Sequence, residues 1–220
     1  STPIKSSAAS DVYKRQYMRY KDPNSASRQK ILLESFKLFA SKSLSDITFS
    51  DIEKATNLSR GAILYHFKTK DQIFTEIVNQ FVLDKDNKLP AIDIEKSLWA
   101  NIESFIDAKK KQQAFLTNIG IANANRAYIC MTTNAMFFLE DMLQKMTQRR
   151  ERELQYWHDL LCSAKNKGEI KKEIDEELWA KFFFNIYYGY SYTSMASLNG
   201  CDLDYLSEQF KHLYLSLIHI

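Results

Sequence analysis

Apolar residues recur at helical spacing along most of this 220-residue chain. The first face of this kind is formed by Ile31, Leu32, Ser35, Phe36 and Phe39. Their spacing predicts one helix that is capped by Ser27 and ends near Ser41. Convincing strand-like alternation does not occur, and the 130 residues after Pro90 contain no proline, a residue that breaks helices. The pattern therefore predicts an all-α protein.

Two short helices around a tight turn are predicted next, within Thr48 to Lys70. Thr48 is the expected N-cap of the first, and Asp51 stands three residues later, close to a capping box. Asn57 falls at the turn, and asparagine tolerates the left-handed backbone conformation better than most residues. Ser59 can cap the second short helix, which should run to about residue 66.

The helical pattern continues through the rest of the chain. A fourth helix should begin at Thr69 or Lys70, and a polar segment that closes at Pro90 marks the expected domain boundary. Gly168 and Gly200 occupy two predicted C-terminal caps. Further helices are predicted near 93–113, 124–138, 140–167, 175–199 and 202–216.

Charge and side-chain chemistry point to the helix–turn–helix segment. Residues 1–90 hold 15 Lys and Arg against 10 Asp and Glu, whereas residues 91–220 hold 15 against 17. Arg60 lies in the first turn of the second short helix, where base edges are read, and Arg pairs bidentately with guanine. Gly61 allows a close approach, although glycine inside a helix costs roughly 1 kcal/mol. Candidate DNA contacts are Thr48, Ser59, Arg60, Gly61, Tyr65, His66, Lys68 and Lys70.

Residues 28–81 resemble the DNA-binding head of the TetR (tetracycline-repressor) family. The string LSRGAILYHFKTKDQIF is similar to the signature of that family around its third helix and the start of its fourth. The resemblance implies a homodimer, a C-terminal ligand-binding domain, a palindromic operator and release from DNA when an effector binds. It also implies DNA contact for six of the candidates above: Thr48, Ser59, Arg60, Tyr65, His66 and Lys70.

The resemblance further implies that four apolar residues set the angle between the helices: Ile52, Leu58, Ile63 and Phe67. Leu64 stands where the family usually has Tyr, and Tyr65 follows it, so the phosphate contact is open between Tyr65 and His66. The expected fold class is all-α, with a three-helix helix–turn–helix head and a C-terminal helical ligand-binding and dimerisation domain. The expected ranges are a disordered or non-native tail at 1–22, the DNA-binding domain at 23–88, the effector and dimer domain at 89–216, and a possible non-native tail at 217–220.

Aromatic residues crowd the stretch 125–200 and allow two interpretations. Most such stripes form core and dimer interface, and the run FFFNIYYGYSY is apolar around most of its circumference. The dimer interface is assigned to Tyr188, Tyr192, Leu206, Phe210 and Leu213. Rings with polar tips could instead line a pocket for a small, largely apolar or aromatic effector. The pocket candidates are Trp99, Tyr128, Met131, Asn134, Phe138, Tyr156, Trp157, Phe183 and Tyr187.

Other classes of protein are disfavoured. Phosphate-binding loops and hydrolase motifs are absent from the sequence, and its four His have no metal-ligand spacing, so no enzyme, cofactor or metal is expected. Cys130, Cys162 and Cys201 are expected to be reduced, mostly buried thiols of a cytoplasmic protein. No apolar run approaches 18 residues, so no membrane partner is expected.

The expected function is a ligand-responsive dimeric repressor that binds a double-stranded DNA operator. The alternative is a helical protein-interaction module without sequence-specific DNA binding.

Overall fold

The computed structural model describes residues 25–84 and 89–218, and helices make up most of these ranges. Nine α-helices lie in this part of the chain, and an isolated antiparallel bridge joins Ile170 to Ile218. We number them α1 (Ala26–Phe39), α2 (Phe49–Thr56), α3 (Arg60–His66), α4 (Lys70–Ile77), α5 (Leu98–Asn118), α6 (Ala124–Phe138), α7 (Met142–Asn166), α8 (Glu176–Thr193) and α9 (Leu203–Leu217). A π-helical segment, Val78–Asp84, follows α4. The predicted all-α fold is confirmed.

Two compact units make up the chain, and the division falls between Ile77 and Val78. The first unit contains α1 to α4. Its core includes all five positions of the apolar face predicted for α1. The Phe39 and Phe74 rings meet edge to face, with their centroids 5.3 Å apart. Burial of this kind stabilises short helices that would be marginal alone.

The start of α1 differs from the prediction. Ser25 is the N-cap, and its hydroxyl accepts a hydrogen bond from the Arg28 backbone N–H at 3.4 Å. Ser27, the predicted cap, lies inside the first turn, and the helix ends at Phe39 before Ser41. Two serines precede the apolar face at nearly equivalent positions, so spacing alone could not choose between them.

The second unit is built on a core of aromatic rings. Phe105 on α5 lies 4.8 Å from Trp157 on α7, measured between ring centroids. Trp157 stacks on Phe183 of α8 at 4.9 Å with an interplanar angle of 12°, and Phe210 of α9 closes the cluster. Stacked and edge-on aromatic pairs of this kind add about 0.5–1.5 kcal/mol beyond area burial.

Two helix bounds of the second unit depart from the sequence predictions. α5 begins later than residue 93 because the Ser97 hydroxyl caps it, accepting from the Ala100 N–H at 3.1 Å. α8 ends at Thr193 and passes through a 3-10 turn, so Gly200 lies in the following loop and does not cap α8. Gly168 does follow the end of α7, with φ at 72°, as expected of a C-terminal glycine.

The expectations for the terminal tails, the cysteines, membrane spans and metal sites have different outcomes. The predicted tail at 1–22 lies outside the described residues, whereas Leu217, assigned to a terminal tail, is the buried last residue of α9. None of Cys130, Cys162 and Cys201 forms a disulfide; Cys201 is buried as expected, whereas Cys130 and Cys162 are half-buried. None of the described helices combines the length and apolarity that a membrane crossing requires. The same ranges hold no group of three or more His, Cys, Asp or Glu that could bind a metal.

Candidate functional site

The turn between α2 and α3 is held by side-chain caps and one left-handed residue. The Thr48 hydroxyl accepts from the Asp51 N–H at 3.3 Å, and the Asp51 carboxylate accepts from the Thr48 N–H at 2.9 Å, which completes the predicted capping box. The Thr48 hydroxyl also donates to the Asp51 carboxylate at 2.7 Å, and this bond, followed by the one from the Thr48 N–H, lowers the pKa of Asp51. Asn57 adopts φ 52°, as anticipated, and the Ser59 hydroxyl accepts from the Ala62 N–H at 3.3 Å.

Arg60 and Gly61 form the exposed first turn of α3. The Arg60 side chain is 57% exposed, and its Nε lies 3.6 Å from the Glu53 carboxylate. The guanidinium stands 5.7 Å from the centroid of the Phe49 ring. Among the described residues, a Cβ built on Gly61 would meet a single atom within 4 Å, the Ser59 hydroxyl oxygen at 4.0 Å, so the space beside Gly61 is open. This turn therefore presents a cation beside an unobstructed stretch of backbone.

The end of α3 carries the two ring candidates for the phosphate contact. The Tyr65 and His66 rings are neighbours in an edge-to-face pair 4.9 Å apart, and both are half-buried. Burial lowers the pKa of His66, and the nearby charge of Arg28 lowers it further. Lys68 is exposed, and its ammonium donates to the Leu64 carbonyl at 3.0 Å. The choice between Tyr65 and His66 stays open.

Lys70 differs from the other candidates because its charge faces the protein. Its ammonium donates to the carbonyl of Ile47 at 2.7 Å and also to the carbonyl of Leu44. Both carbonyls belong to the connection between α1 and α2, so Lys70 holds that connection against the start of α4. The side chain is half-buried, and phosphate contact would have to share its ammonium with these two bonds.

Sequence reasoning missed two basic residues of the first unit. Lys42 is exposed, and its charge contributes to the lowered pKa of Asp51 at the start of α2. Arg28 packs its guanidinium over the Phe67 ring at 5.0 Å and pairs with Glu76 at 2.9 Å, so it joins α1 to α4 and to the end of α3. The sequence showed only that residues 1–90 carry an excess of basic residues, and such an excess does not indicate which of them lie near the helix–turn–helix.

The apolar residues implied to set the helix angle are placed in the core with one exception. Ile52 and Ile63 are fully buried, and Phe67 is almost so, whereas Leu58 is half-buried. Burial of residues from both short helices is what holds two adjacent helices at a defined angle. The arrangement therefore presents α3 on a rigid support.

The candidate effector residues of the second unit divide into a packed group and outliers. Tyr156, Trp157 and Tyr187 all contact Phe105, with ring centroids 6.2, 4.8 and 5.4 Å away. Phe183 stacks on Trp157, and Met131 is fully buried on α6. These contacts fill the space between the helices, as the core interpretation of the aromatic stripe requires.

Three candidates stand apart from that group. Trp99 packs against Tyr214, 5.7 Å between centroids, near the start of α5. Phe138 is 51% exposed at the end of α6. The Asn134 amide donates to the Cys130 carbonyl one turn earlier, at 2.8 Å. The structure therefore does not gather all nine candidates around one site.

A buried polar cluster that the sequence did not reveal lies beside the aromatic core. Arg149 and Glu153, one turn apart on α7, pair at 3.0 Å with side chains only 8% and 5% exposed. The Tyr188 hydroxyl donates to the other Glu153 oxygen at 2.6 Å. Arg149 also donates to the Val82 carbonyl in the π-helical segment. The sequence did contain one indication of this burial: Arg149 and Glu153 fall at helical spacing on the same face of α7 as its buried apolar residues.

Two further polar groups of the cluster, the Tyr128 hydroxyl and the Lys109 ammonium, are buried without a hydrogen bond or ion pair to a described residue that would offset the loss of water. Tyr128 lies under the Arg149 guanidinium, 5.1 Å from its ring centroid, and its buried hydroxyl has no hydrogen-bond partner among the described residues. Burial raises the pKa of Tyr128 to about 12. The Lys109 ammonium rests over the Phe105 and Tyr187 rings at 5.0 and 5.1 Å. Burial lowers the pKa of Lys109 to about 8, although the Glu153 charge opposes the shift.

The five candidate dimer residues occupy different depths in the protomer. Leu206 and Phe210 are fully buried in the core, Leu213 is half-buried, and Tyr188 reaches inward to Glu153. Tyr192 alone is open, with 60% exposure. Leu206 and Phe210 therefore cannot contact a partner subunit directly, and they act only by packing under the residues that would. The exposed apolar side chains on the same helices are Leu178, Phe182, Tyr205 and Leu215.

Comparison with known proteins points in one direction. Residues 31–77 match the model of the family described as bacterial regulatory proteins, tetR family. The HTH-type transcriptional regulator SrpR of Pseudomonas putida is 24% identical over 172 residues, which cover 77% of this chain and 76% of SrpR. The HTH-type transcriptional repressor BepR of Brucella suis is 23% identical over 195 residues, covering 84% and 88%.

A solved structure extends the likeness to the whole fold. NalD of Pseudomonas aeruginosa, the secondary repressor of the MexAB-OprM multidrug efflux pump, matches with a TM-score of 0.57. The match covers 88% of this chain and 97% of NalD at 18% identity. At that identity the likeness concerns the fold, which is a helix–turn–helix unit followed by a larger helical unit.

Proposed function

We propose that this chain, whose residues 31–77 match the tetR family of bacterial regulatory proteins, is a dimeric repressor. The relatives that it resembles are transcriptional regulators and not enzymes. The chain would bind a palindromic DNA operator through α3 and leave it when a small effector occupies the second unit. The observation that carries this proposal is the exposed first turn of α3, where Arg60 stands beside Gly61.

Gly61 supports the proposal because the protein itself does not need a glycine there. Within the described part of the chain, an alanine Cβ would meet no atom closer than 4.0 Å, and the helix would gain stability of the order of 1 kcal/mol. A residue that weakens its helix without relieving a contact is expected where another molecule comes close. A DNA backbone lying against α3 is such a molecule.

Arg60 supports the proposal through its freedom to move. The pair with Glu53 is long, 3.6 Å, and an exposed ion pair is worth only about 0–1 kcal/mol. The guanidinium can therefore turn to a guanine edge at little cost and bond it bidentately. Thr48, Ser59, Lys68 and Lys42 are exposed in the same unit, and their side chains would donate to phosphates.

The homodimer would form on the outer faces of α8 and α9. Leu178, Phe182 and Tyr192 are exposed on α8. Together with Gly189, which has open space beside it, they follow one another at intervals of four, seven and three residues and so share one helical face. An exposed apolar face of this kind marks an interaction surface. Two heads joined there would read half-sites about 34–36 Å apart. Sedimentation of the full chain should give twice the mass of one chain, and a monomer at micromolar concentration would contradict the proposal.

The effector is proposed to be small and largely apolar or aromatic. NalD, which shares the fold, is described as a repressor of a multidrug efflux pump. The effector would occupy the second unit, whose core is built from the rings that surround Phe105. An effector that binds the DNA-competent arrangement less well than another arrangement shifts the population away from DNA.

The DNA-binding part can be tested without knowing the operator. Duplexes selected from a random pool by the purified chain should converge on a palindrome, with affinity that falls steeply between about 50 and 200 mM salt. Arg60→Ala should lower the discrimination between selected and scrambled duplexes by about 1–3 kcal/mol. Arg152→Ala removes an exposed arginine of the second unit and should leave that discrimination unchanged.

Two results would contradict this proposal. Selection that yields no shared sequence would favour the alternative of a protein-interaction module. Discrimination that survives in Arg60→Ala would remove Arg60 as the base-reading residue, even if the duplexes are still bound.

A further inference from the structure

A cleft between α7 and α8 opens beside the buried polar cluster. Its volume is about 270 Å³. It is lined by Met146, Thr147, Arg149, Arg150, Phe184 and Tyr188. We refer to these six residues as the arginine cleft. A closed apolar cavity of about 150 Å³ holds a benzene molecule, so the arginine cleft has room for a two-ring compound.

The charged groups of the arginine cleft are cations. No carboxylate lines it, and no carboxylate of residues 25–84 and 89–218 pairs with Arg150. Arg149 is already paired with Glu153, so that pair is close to neutral and Arg150 adds an unbalanced positive charge. An anion in the cleft would meet this charge with no repelling group on the described wall.

The remaining wall is apolar and aromatic. Phe184 and Tyr188 form a tilted stack, with ring centroids 4.4 Å apart and an interplanar angle of 31°, so a ligand ring can contact the pair by an outer ring face or by the ring edges. Met146 stands among the other lining residues, and its unbranched side chain adapts to irregular shapes and makes favourable contacts with rings. A planar aromatic ligand would fit this surface better than a branched aliphatic one.

Behind the cleft, the Glu153 carboxylate is bonded to both Arg149 and Tyr188, and the other neighbouring groups are cationic or neutral donors. Tyr128 lies under Arg149, and its hydroxyl, which bonds to none of the described residues, can donate. The Lys109 ammonium is buried and rests over the rings of Phe105 and Tyr187. Counted together, Lys109, Arg149, Arg150 and Glu153 leave an excess of positive charge around this part of the second unit.

We infer that the arginine cleft binds a flat aromatic compound carrying one acidic group, a carboxylate or a phenolate, with the acid at Arg149 and Arg150 and the rings on Phe184 and Tyr188. The inference rests on the proposed function, because it gives the chemical class of the effector. It also names residues outside the nine effector candidates derived from the sequence.

Arg149 gives this site a route to the rest of the chain. The same guanidinium donates to the carbonyl of Val82, in the π-helical segment that directly follows α4. An acidic ligand competes for that guanidinium and weakens the bond to Val82. The ligand therefore acts on the segment through which the chain continues from the helix–turn–helix unit.

Calorimetric titration of the full chain with three matched probes tests the inference. The probes are naphthoate, naphthamide and naphthylmethylammonium, which share two rings and differ in charge. Naphthoate should bind at least tenfold more tightly than either of the others. Arg150→Gln should weaken naphthoate binding about tenfold or more and leave naphthamide unaffected. Arg152→Gln, an exposed arginine of α7 outside the cleft, serves as the matched control.

Three binding results overturn the inference, whereas a failure of duplex release bears only on the proposed function. Equal binding of naphthoate and naphthamide, or tighter binding of the ammonium probe, excludes an acidic ligand. Absence of binding by all three probes excludes the cleft as a site for two-ring compounds. If naphthoate binds as expected but duplexes selected by the chain are not released, the ligand class stands and the induction step of the proposed function fails.

Discussion

Arg60 in the helix–turn–helix unit and Arg149 in the larger unit are used in opposite ways. In the helix–turn–helix unit, Arg60 is 57% exposed and has a long contact to Glu53 at 3.6 Å. In the larger unit, Arg149 and Glu153 are almost completely buried, and Glu153 is bonded both to Arg149 and to Tyr188. The first arrangement leaves a cation available to a partner, and the second uses a cation inside the protein.

The difference matters because the energies are unequal. An exposed pair is worth about 0–1 kcal/mol, so Arg60 can exchange Glu53 for DNA without weakening the fold. Removing one member of a buried pair costs about 3–5 kcal/mol, because the other charge remains without compensation. Substitutions at the two pairs should therefore separate function from stability.

Glu153→Ala should have the largest effect on stability. It leaves the buried Arg149 without its carboxylate and the Tyr188 hydroxyl without its acceptor. We expect the free energy of unfolding to fall by about 3–5 kcal/mol in urea denaturation. Glu151→Ala, at an exposed position of the same helix, is the control. A loss below about 1 kcal/mol would mean that the pair is effectively solvated.

The buried Lys109 ammonium should make the stability of the protein depend on pH. Burial lowers the pKa of Lys109 to about 8 in the folded protein, below the ordinary 10.5. Between about pH 8 and 10 the unfolded chain therefore holds a proton that the folded chain has released, and stability rises with pH.

In thermal or urea unfolding, the unaltered chain should gain about 2 kcal/mol relative to Lys109→Met over that interval. The tyrosines whose pKa is raised by burial are the same in both proteins, so their contribution cancels. A difference between the two proteins that stays constant with pH would show that Lys109 remains protonated in the fold.

Local signals in the sequence were the ones that predicted structure well. The capping box at Thr48 and Asp51 depends on residues three apart, and the left-handed turn at Asn57 depends on one residue type. Both were predictable because the physical cause lies within a single turn. The start of α1 was missed because Ser25 and Ser27 offer the same chemistry at nearly the same place.

Long-range pairing was not predictable from the sequence. Glu153 meets Tyr188 across 35 positions, and Arg149 meets Val82 across 67. The apolar face of α9 could be assigned from its spacing, but spacing does not reveal whether that face packs on its own protomer or on a partner. Leu206 and Phe210 were therefore assigned to the dimer interface, although they are buried in the core of the protomer. The candidate DNA surface was easier to predict, because the caps at Thr48 and Ser59 fix where the two short helices begin and so which residues form their exposed first turns.

Gly61→Ala should have the smallest effect on stability, and it tests the central claim most directly. The account predicts opposite changes in two measurements on the same variant. Unfolding should show a gain of roughly 0.5–1 kcal/mol, because the helix acquires alanine in open space. Titration with a selected duplex should show an affinity at least tenfold lower, because the new methyl group lies where the DNA backbone approaches. A variant that gains stability and binds the duplex as tightly as before would contradict the placement of α3 against DNA.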